Sequence, residues 1–187
     1  MNRREAISSV ALLLGGTILG AEAFLSGCKP SARDVNFTPQ DIAYLDEVAE
    51  TILPETKTPG AKAAKVGQFM TVIVKDCYEE KDQKIFLEGM DKLNEASKKK
   101  NGGKTFMEST AQQRHDLLVA LDTEAKDYQK SKKKDDPNHY FRMMKELTLW
   151  GFFTSEVGAT KVLRYVAVPG KYEGCIPYNK GDKAWAT

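Results

Sequence analysis

The stretch FTPQDIAYLDEVAETI, residues 37–52, decides the fold class, because it combines the start signals and the apolar spacing of an α-helix. Thr38 is a natural N-cap, Pro39 suits the first helical position, and Asp41 lies in the electropositive first turn. Apolar residues then recur at helical spacing, at Ile42, Leu45, Val48, Ala49 and Ile52. Pro54 stops this run, so the stretch predicts an amphipathic helix that packs on a core.

Further helices are predicted along the rest of the chain by the same spacing. They cover residues 61–78, 80–97, 109–129 and 136–153, and helical character continues over 154–165. Ser109 and Gln112 form the capping box of the fourth helix, and Asp136-Pro137 opens the fifth. No strand-like alternation of convincing length interrupts the pattern. The sequence therefore predicts an all-α protein, a single bundle-like domain of five to six helices with an irregular C-terminal tail.

The fifth predicted helix is apolar on almost every face, which is typical of a central helix or of one covered by another chain. Its aromatic end and the aromatic residues of the tail are therefore candidates for contact with a partner protein. These candidates are Trp150, Phe152, Phe153, Tyr172, Tyr178 and Trp185. The alternative, that each of these side chains belongs to the core, stays open at this point.

Residues 1–27 differ from the rest of the chain and are predicted to be an export signal. A charged start is followed by an apolar run over 10–25 and then by small residues. The pair Arg3-Arg4 favours the twin-arginine route over the general secretory route. The apolar run is interrupted by glycines and is shorter than the ~20 residues of a membrane-spanning helix. We therefore expect a signal peptide at 1–27, a tether at 28–36 and a helical body at 37–187.

The sequence LSGC at 25–28 resembles the lipobox of bacterial lipoproteins, in which the cysteine receives a diacylglyceryl group and becomes the mature N-terminus. Each methylene that an acyl chain buries in a bilayer contributes about 0.8 kcal/mol to membrane binding. We expect lipidation at Cys28 and a location on the periplasmic face of a membrane. The alternative is an ordinary cysteine in a plain signal peptide.

Composition and motif content argue against several classes of function. The 28 Lys and Arg residues nearly balance the 26 Asp and Glu residues, and a net charge of +2 gives no broad basic field for nucleic acid. A chain of 187 residues is also too short for a two-domain flavin or nicotinamide enzyme. His115 and His139 lack the spacing of a zinc site and are interpreted as surface or capping residues. We expect no catalytic residue, no bound cofactor and no metal in this chain.

Two cysteines remain once Cys28 is assigned to lipid. Cys77 and Cys175 form an even pair in an oxidising compartment, which favours a disulfide between them. The bridge would tie the tail to the second predicted helix and remove entropy from the unfolded chain. Two separate buried thiols are the alternative.

Several short motifs together resemble one known family, the small subunit (subunit 3) of gluconate 2-dehydrogenase and related membrane-associated sugar dehydrogenases. The N-terminal MNRREAI and the sequence WGFFTSEVG at 150–158 carry part of the resemblance. The rest lies in ILP at 52–54, TPGA at 58–61, Tyr165 with VPG at 168–170, and YEGC at 172–175. These segments extend over nearly the whole chain.

The resemblance implies a non-catalytic subunit of a larger oxidoreductase. In such complexes a large subunit of the glucose-methanol-choline type carries FAD and oxidises a sugar or sugar acid, and a cytochrome c often accepts the electrons. The small subunit carries the twin-arginine signal and escorts the folded flavoprotein, and the lipobox of this chain would also anchor the complex. A stand-alone helical envelope lipoprotein with a binding or structural role is the alternative.

Overall fold

Five α-helices make up the folded body of the residues that the structure describes, which are residues 35–168, 170–171 and 174–186 of a computed structural model. They are α1 (Pro39–Ile52), α2 (Val66–Cys77), α3 (Glu80–Lys100), α4 (Ala111–Ser131) and α5 (Tyr140–Phe153). A 3₁₀ turn (Ala61–Ala64) precedes α2, and a π-helical turn (Gly158–Val162) follows α5. The predicted all-α class is confirmed. Within these described residues, no helix combines the length and the apolar character needed to cross a membrane.

The start of α1 follows the sequence signals. The Thr38 hydroxyl accepts a hydrogen bond from the Asp41 amide at 3.2 Å, and the Thr38 amide donates to the Asp41 carboxylate at 2.8 Å. This capping box satisfies amides that the first turn of a helix cannot pair internally. The inner face of α1 buries Tyr44, Leu45, Val48 and Ala49. The predicted amphipathic helix is therefore confirmed.

Two side chains of α1 bind segments that lie far along the chain. The Tyr44 hydroxyl donates to the Met90 carbonyl on α3 at 3.2 Å, and burial raises the pKa of Tyr44 well above its usual value. The Glu47 carboxylate pairs with Arg114 on α4 and with Lys62 in the 3₁₀ turn. Because the Glu47 and Arg114 side chains are only 19% and 16% exposed, salt screens this pair less than it screens an exposed one.

α1 and α2 approach each other closely at Gly67. A Cβ atom at this position would lie 2.6 Å from the Ile42 carbonyl oxygen and 2.7 Å from the Asp46 amide nitrogen, which both belong to the backbone of α1. The Gly67 amide donates to the Asp46 carboxylate at 2.7 Å. Lys65, with a φ of 52°, separates the 3₁₀ turn from α2, so the continuous helix predicted over 61–78 is wrong in its first turns.

α5 is the central helix, as its apolar sequence predicts. It contacts each of the other four α-helices. Its buried residues are Tyr140, Phe141, Met143, Met144, Leu147, Thr148, Gly151 and Phe152. The other helices and the α3–α4 connection add the rest of the core, which includes the fully buried Phe86 and Phe106.

The fourth predicted helix begins one residue later than its sequence signal indicates. Thr110, not Ser109, is the N-cap of α4, and its hydroxyl accepts from the Gln113 amide at 3.3 Å. Ser109 is buried, where its hydroxyl donates to the Thr105 carbonyl at 2.8 Å and lies 3.0 Å from the Ser97 hydroxyl. The predicted Ser109 and Gln112 box is therefore wrong, because the Ser109 hydroxyl is engaged in the α3–α4 connection.

The limits of α5 also differ from the prediction. The Asp136 carboxylate accepts from the Lys133 amide at 2.9 Å in a turn, and the Pro137 carbonyl accepts from the Tyr128 hydroxyl at 3.0 Å. α5 therefore starts only after its N-cap, His139. At the other end, the helical character predicted over 154–165 stops at Val162, since Leu163 is already extended.

Candidate interaction surface

Five apolar side chains of α2 and α5 form a surface that we call the aromatic face: Phe69, Val72, Leu149, Trp150 and Phe153. Phe69 and Val72 lie three positions apart on α2, and Leu149 and Phe153 lie four apart on α5, so each pair shares one side of its helix. Trp150 is 52% exposed and Val72 is 51% exposed. Apolar residues that gather on an exposed surface mark contact sites.

A contact between the two helices fixes the aromatic face. The rings of Phe69 and Trp150 meet edge to face, with centroids 5.3 Å apart. A Cβ atom on Gly151 would lie 2.5 Å from the Phe69 ring, so only a glycine lets this ring lie directly against α5. Within α5, the Phe153 ring lies edge to face with the ring of the preceding residue, Phe152, with centroids 5.2 Å apart. The aromatic side chains are therefore supported by neighbours although they are exposed.

The charged residues beside the aromatic face balance one another. On α5, Arg142 and Glu146 form an ion pair at 2.7 Å one turn before Trp150. On α2, Lys75 and Asp76 follow Val72 within one turn. Burial, with a further contribution from Glu146, raises the pKa of Tyr78 to about 12, so this phenol stays neutral. The face therefore offers apolar area rather than net charge to a partner.

The structure separates the aromatic residues that the sequence grouped as partner contacts. Trp150 and Phe153 lie on the aromatic face, whereas Tyr178 and Trp185 lie exposed in the tail. Phe152 is only 3% exposed and belongs to the core, so the prediction that it contacts a partner is wrong. Tyr172 lies outside the described residues.

Three members of the aromatic face were missed by the sequence analysis. Phe69, Val72 and Leu149 are not among the contact residues that the sequence predicts; in the structure Phe69 is half-buried, and Val72 and Leu149 are exposed. The signal was present in part, because Val72 follows Phe69 at a helical spacing. What the sequence lacked was the crossing of α2 over α5, which brings Phe69 to Trp150.

The remaining predicted sites fall on exposed or undescribed residues. Cys77 ends α2 and Cys175 lies in the tail; both thiols are exposed and free in the structure, and their disulfide stays a prediction for the oxidised protein. Arg3, Arg4 and Cys28 lie outside the described residues. Over the described part of the chain, no three or more His, Cys, Asp or Glu side chains are placed to hold a metal ion.

A shallow depression of about 260 Å³ lies between α1, α4 and α5. At its edge Asp122 binds Lys126 at 2.7 Å and Lys145 at 2.6 Å, and these two hydrogen bonds lower the pKa of Asp122. The carboxylate thus already pairs with both ammonium groups. Among the described residues that line the depression, the Thr51 hydroxyl donates to the Glu47 carbonyl at 2.8 Å and the Thr123 hydroxyl donates to the Val119 carbonyl at 3.1 Å.

His139 has a structural role at the start of α5. Its Nδ1 accepts a hydrogen bond from the Phe141 amide at 3.3 Å, which confirms the interpretation of a capping histidine. The rings of Tyr128 and Tyr140 flank it, and its Nε2 lies 3.6 Å from a Glu124 oxygen. Burial lowers the pKa of His139, and the opposing effect of Glu124 is smaller.

We expect the protein to lose stability in mild acid through His139. The pKa of His139 is lower in the folded protein than its value of about 6.5 in an unfolded chain, so protons bind the unfolded state first. The stability that neutral His139 contributes is fully present above about pH 6.5. It is lost as the pH falls towards the pKa of His139 in the folded protein. Protonated Nδ1 can also no longer accept from the Phe141 amide. Urea unfolding at several pH values measures the effect.

The matched control for this prediction is His139→Asn, which keeps a capping oxygen but does not titrate. We expect a smaller loss of unfolding free energy on acidification for this variant. His139→Ala should cost about 1 kcal/mol at neutral pH, because it removes the cap. Equal acid sensitivity of the wild type and His139→Asn would refute the role of His139.

The fold and the aromatic face define the class: a small all-helical protein with an exposed apolar surface. A family model described as Gluconate 2-dehydrogenase subunit 3 matches residues 39–170, which include all five α-helices. The chain belongs to the gluconate 2-dehydrogenase subunit 3 family, and the resemblance found in the sequence is confirmed. A search of curated proteins and a search of solved structures each found no match.

Proposed function

We propose that this chain is the non-catalytic small subunit of a membrane-associated, FAD-dependent dehydrogenase that oxidises a sugar or a sugar acid. The observation that carries the proposal is the family match, which extends over all five α-helices. The catalytic partner is a flavoprotein of the glucose-methanol-choline type. A cytochrome c accepts electrons from the flavin of that partner. This chain contributes binding and localisation rather than chemistry.

The aromatic face is the proposed docking surface for the flavoprotein. A subunit of a complex needs a surface that stays exposed after its own core has formed, and Trp150, Val72 and Phe153 meet this condition. Tryptophan is enriched among the residues that dominate binding energy. The balanced charges beside the face favour an apolar surface on the partner, because neither sign of charge is left to attract the opposite one.

Export of the complex is the second part of the proposal. The twin-arginine route moves folded proteins, and FAD must be inserted into the flavoprotein before export. A small subunit that carries the signal at Arg3-Arg4 and binds the folded flavoprotein would take it across the membrane. Lipidation at Cys28 would then hold the complex on the periplasmic face of the membrane. Stable attachment needs more than one acyl chain, and the diacylglyceryl group supplies two.

We expect the double substitution Arg3→Lys and Arg4→Lys to leave the flavoprotein in the cytoplasm. The experiment co-expresses this chain with a glucose-methanol-choline type flavin dehydrogenase subunit from the same organism and assays dehydrogenase activity in the cytoplasmic, periplasmic and membrane fractions. With the wild-type chain, activity is expected in the membrane fraction. Arg33→Lys, the same chemical change within the tether, is the matched control and should leave the distribution unchanged.

Two results would contradict this proposal. If the flavoprotein reaches the periplasmic side equally well with the double lysine variant, the escort role is wrong. If the chain is purified from its membrane without any flavoprotein, the subunit role fails and a stand-alone helical lipoprotein takes its place.

A further inference from the structure

The C-terminal end of the chain folds back on the residues that follow the π-helical turn. The Arg164 amide donates to the Ala184 carbonyl at 2.8 Å, and the Ala186 amide donates to the Arg164 carbonyl at 3.0 Å. The Arg164 guanidinium lies 4.1 Å from the centre of the Trp185 ring. We call this set of contacts, made by Arg164, Ala184, Trp185 and Ala186, the clasp.

Lys183, the residue before Ala184, makes a further contact that supports the clasp. The Lys183 ammonium donates to the Lys161 carbonyl at 2.6 Å, at the end of the π-helical turn. A cation over an indole ring is the most favourable of the cation–π pairs. The ends of the segment 165–183 are therefore held together by two backbone hydrogen bonds, one ring contact and one side-chain bond. We call this segment the closed loop.

The closed loop contributes nothing to the buried core. None of its described residues is among the buried core residues, and the apolar side chains of these described residues are exposed. Val168 is 82% exposed, Tyr178 is 78% exposed and Ile176 is 46% exposed. Ordering a segment costs conformational entropy, which this loop does not recover by burying its own apolar surface. A binding role explains why apolar residues are presented in this way.

The charge of the closed loop distinguishes it from the aromatic face. The sequence 165–183 contains three lysines and two acidic residues. Of the acidic residues, Asp182 is engaged in a turn, where its carboxylate accepts from the Asn179 amide at 2.9 Å. The sequence of the loop therefore carries a formal charge of +1. A partner surface that complements it is apolar at its centre and carries carboxylates at its rim.

We propose that the closed loop is a second docking element for the flavoprotein subunit, held in its binding conformation by the clasp. The proposal rests on the proposed function, because it takes the same partner. Ile176 and Tyr178 enter an apolar groove of the flavoprotein, and Lys180 meets a carboxylate at the edge of that groove. Trp185 is then a positioning residue that keeps the loop closed, which replaces its predicted role as a direct contact.

The size of ordinary interfaces supports a second element. A stable interface uses about 20–30 residues on each side, and the aromatic face supplies only a small part of that number. The family match ends at residue 170, inside the closed loop, so the clasp is inferred from the contacts of this chain and not from the match. Holding a loop in its bound conformation raises affinity because less order has to be imposed on binding.

The experiment compares four variants in titrations against the purified flavoprotein subunit, one of them the conservative change Trp185→Phe. Trp185→Ala opens the clasp, Tyr178→Ala removes a docking residue, and Val119→Ala changes an exposed apolar residue of α4 that belongs to neither surface. Hydrogen exchange at the amides of Arg164 and Ala186 reports the clasp independently of binding. Far-ultraviolet circular dichroism confirms that the helices remain, since neither tail residue is part of the core.

We expect a distinct result for each variant. Trp185→Ala should speed exchange at both clasp amides and weaken binding by roughly tenfold, because the loop must be ordered on docking. Tyr178→Ala should weaken binding with both amides still protected. Trp185→Phe keeps a ring under the guanidinium and should restore most of the protection and affinity. Val119→Ala should change neither measurement.

Each other outcome overturns a definite part of the proposal. If Trp185→Ala and Tyr178→Ala bind like the wild type, the loop does not dock, although the subunit role stands. If the two amides exchange rapidly in the wild type, the clasp does not hold the loop. If the wild-type chain does not bind the flavoprotein, the proposed function fails, and docking of the loop on that partner fails with it.

Discussion

Replacing Trp150 with aspartate is expected to weaken binding of the flavoprotein subunit by about thirtyfold or more, while the helical content stays unchanged. Truncating a dominant interface residue costs about 2 kcal/mol or more of binding free energy, and each 1.4 kcal/mol of binding free energy is a factor of ten in affinity. The aspartate also places a charge where an apolar partner surface would remove it from water. Since Trp150 is 52% exposed in the free protein, the fold should tolerate the change.

The measurement is a titration of the variant chain against the purified flavoprotein. Val119→Asp on α4 is the matched control, because Val119 is also 52% exposed and receives the same carboxylate. Trp150→Phe should retain much of the affinity, since a ring can still lie against Phe69. Equal weakening by Val119→Asp would mean that net charge, not the aromatic face, controls binding.

Phe86→Ala is expected to lower the free energy of unfolding by about 3–5 kcal/mol. Phe86 on α3 is completely buried, so its loss removes apolar burial and leaves a cavity that the neighbouring helices cannot fully close. Most domains are stable by only about 5–15 kcal/mol, so a large part of the total would be lost.

Thermal and urea unfolding measure this change. For a domain of this size, we expect the melting temperature to fall by roughly 6–20 °C. Phe86→Leu retains most of the volume and should cost clearly less. Lys84→Ala, on the exposed side of the same helix, should stay within about 0.5 kcal/mol of the wild type. A Phe86→Ala variant as stable as Lys84→Ala would place Phe86 outside the core.

Local signals in the sequence predicted the fold class and most helices correctly. Thr38 is the N-cap of α1, as the sequence predicts, and Asp41 in the first turn completes a capping box with it. At α4 the same kind of signal was wrong by one residue, because the Ser109 hydroxyl is engaged by Ser97 and Thr105. A cap is thus predictable only where tertiary contacts leave its hydroxyl free.

The candidate surfaces were less predictable than the helices. Phe152 and Phe153 are adjacent and chemically identical, yet the first is buried and the second lies on the aromatic face. A helix that is apolar on almost every side does not reveal which residues its neighbours cover. The clasp between Arg164 and Trp185 joins residues 21 positions apart in a segment without periodicity, so no local pattern indicated it.

The long-range contacts of α1 have a consequence for synthesis of the chain. Tyr44 and Glu47 bind Met90 and Arg114, and α1 also packs on α5 at the far end of the folded body. At ~5–20 residues per second, the ribosome needs roughly 5–20 s to extend the chain from the end of α1 to the end of α5. During that interval α2 and the 3₁₀ turn can already pack on α1, but the part of its apolar side that α4 and α5 cover in the folded protein stays exposed until those helices are made. The nascent chain is therefore a natural client for a chaperone until α5 has emerged and the core can close around it.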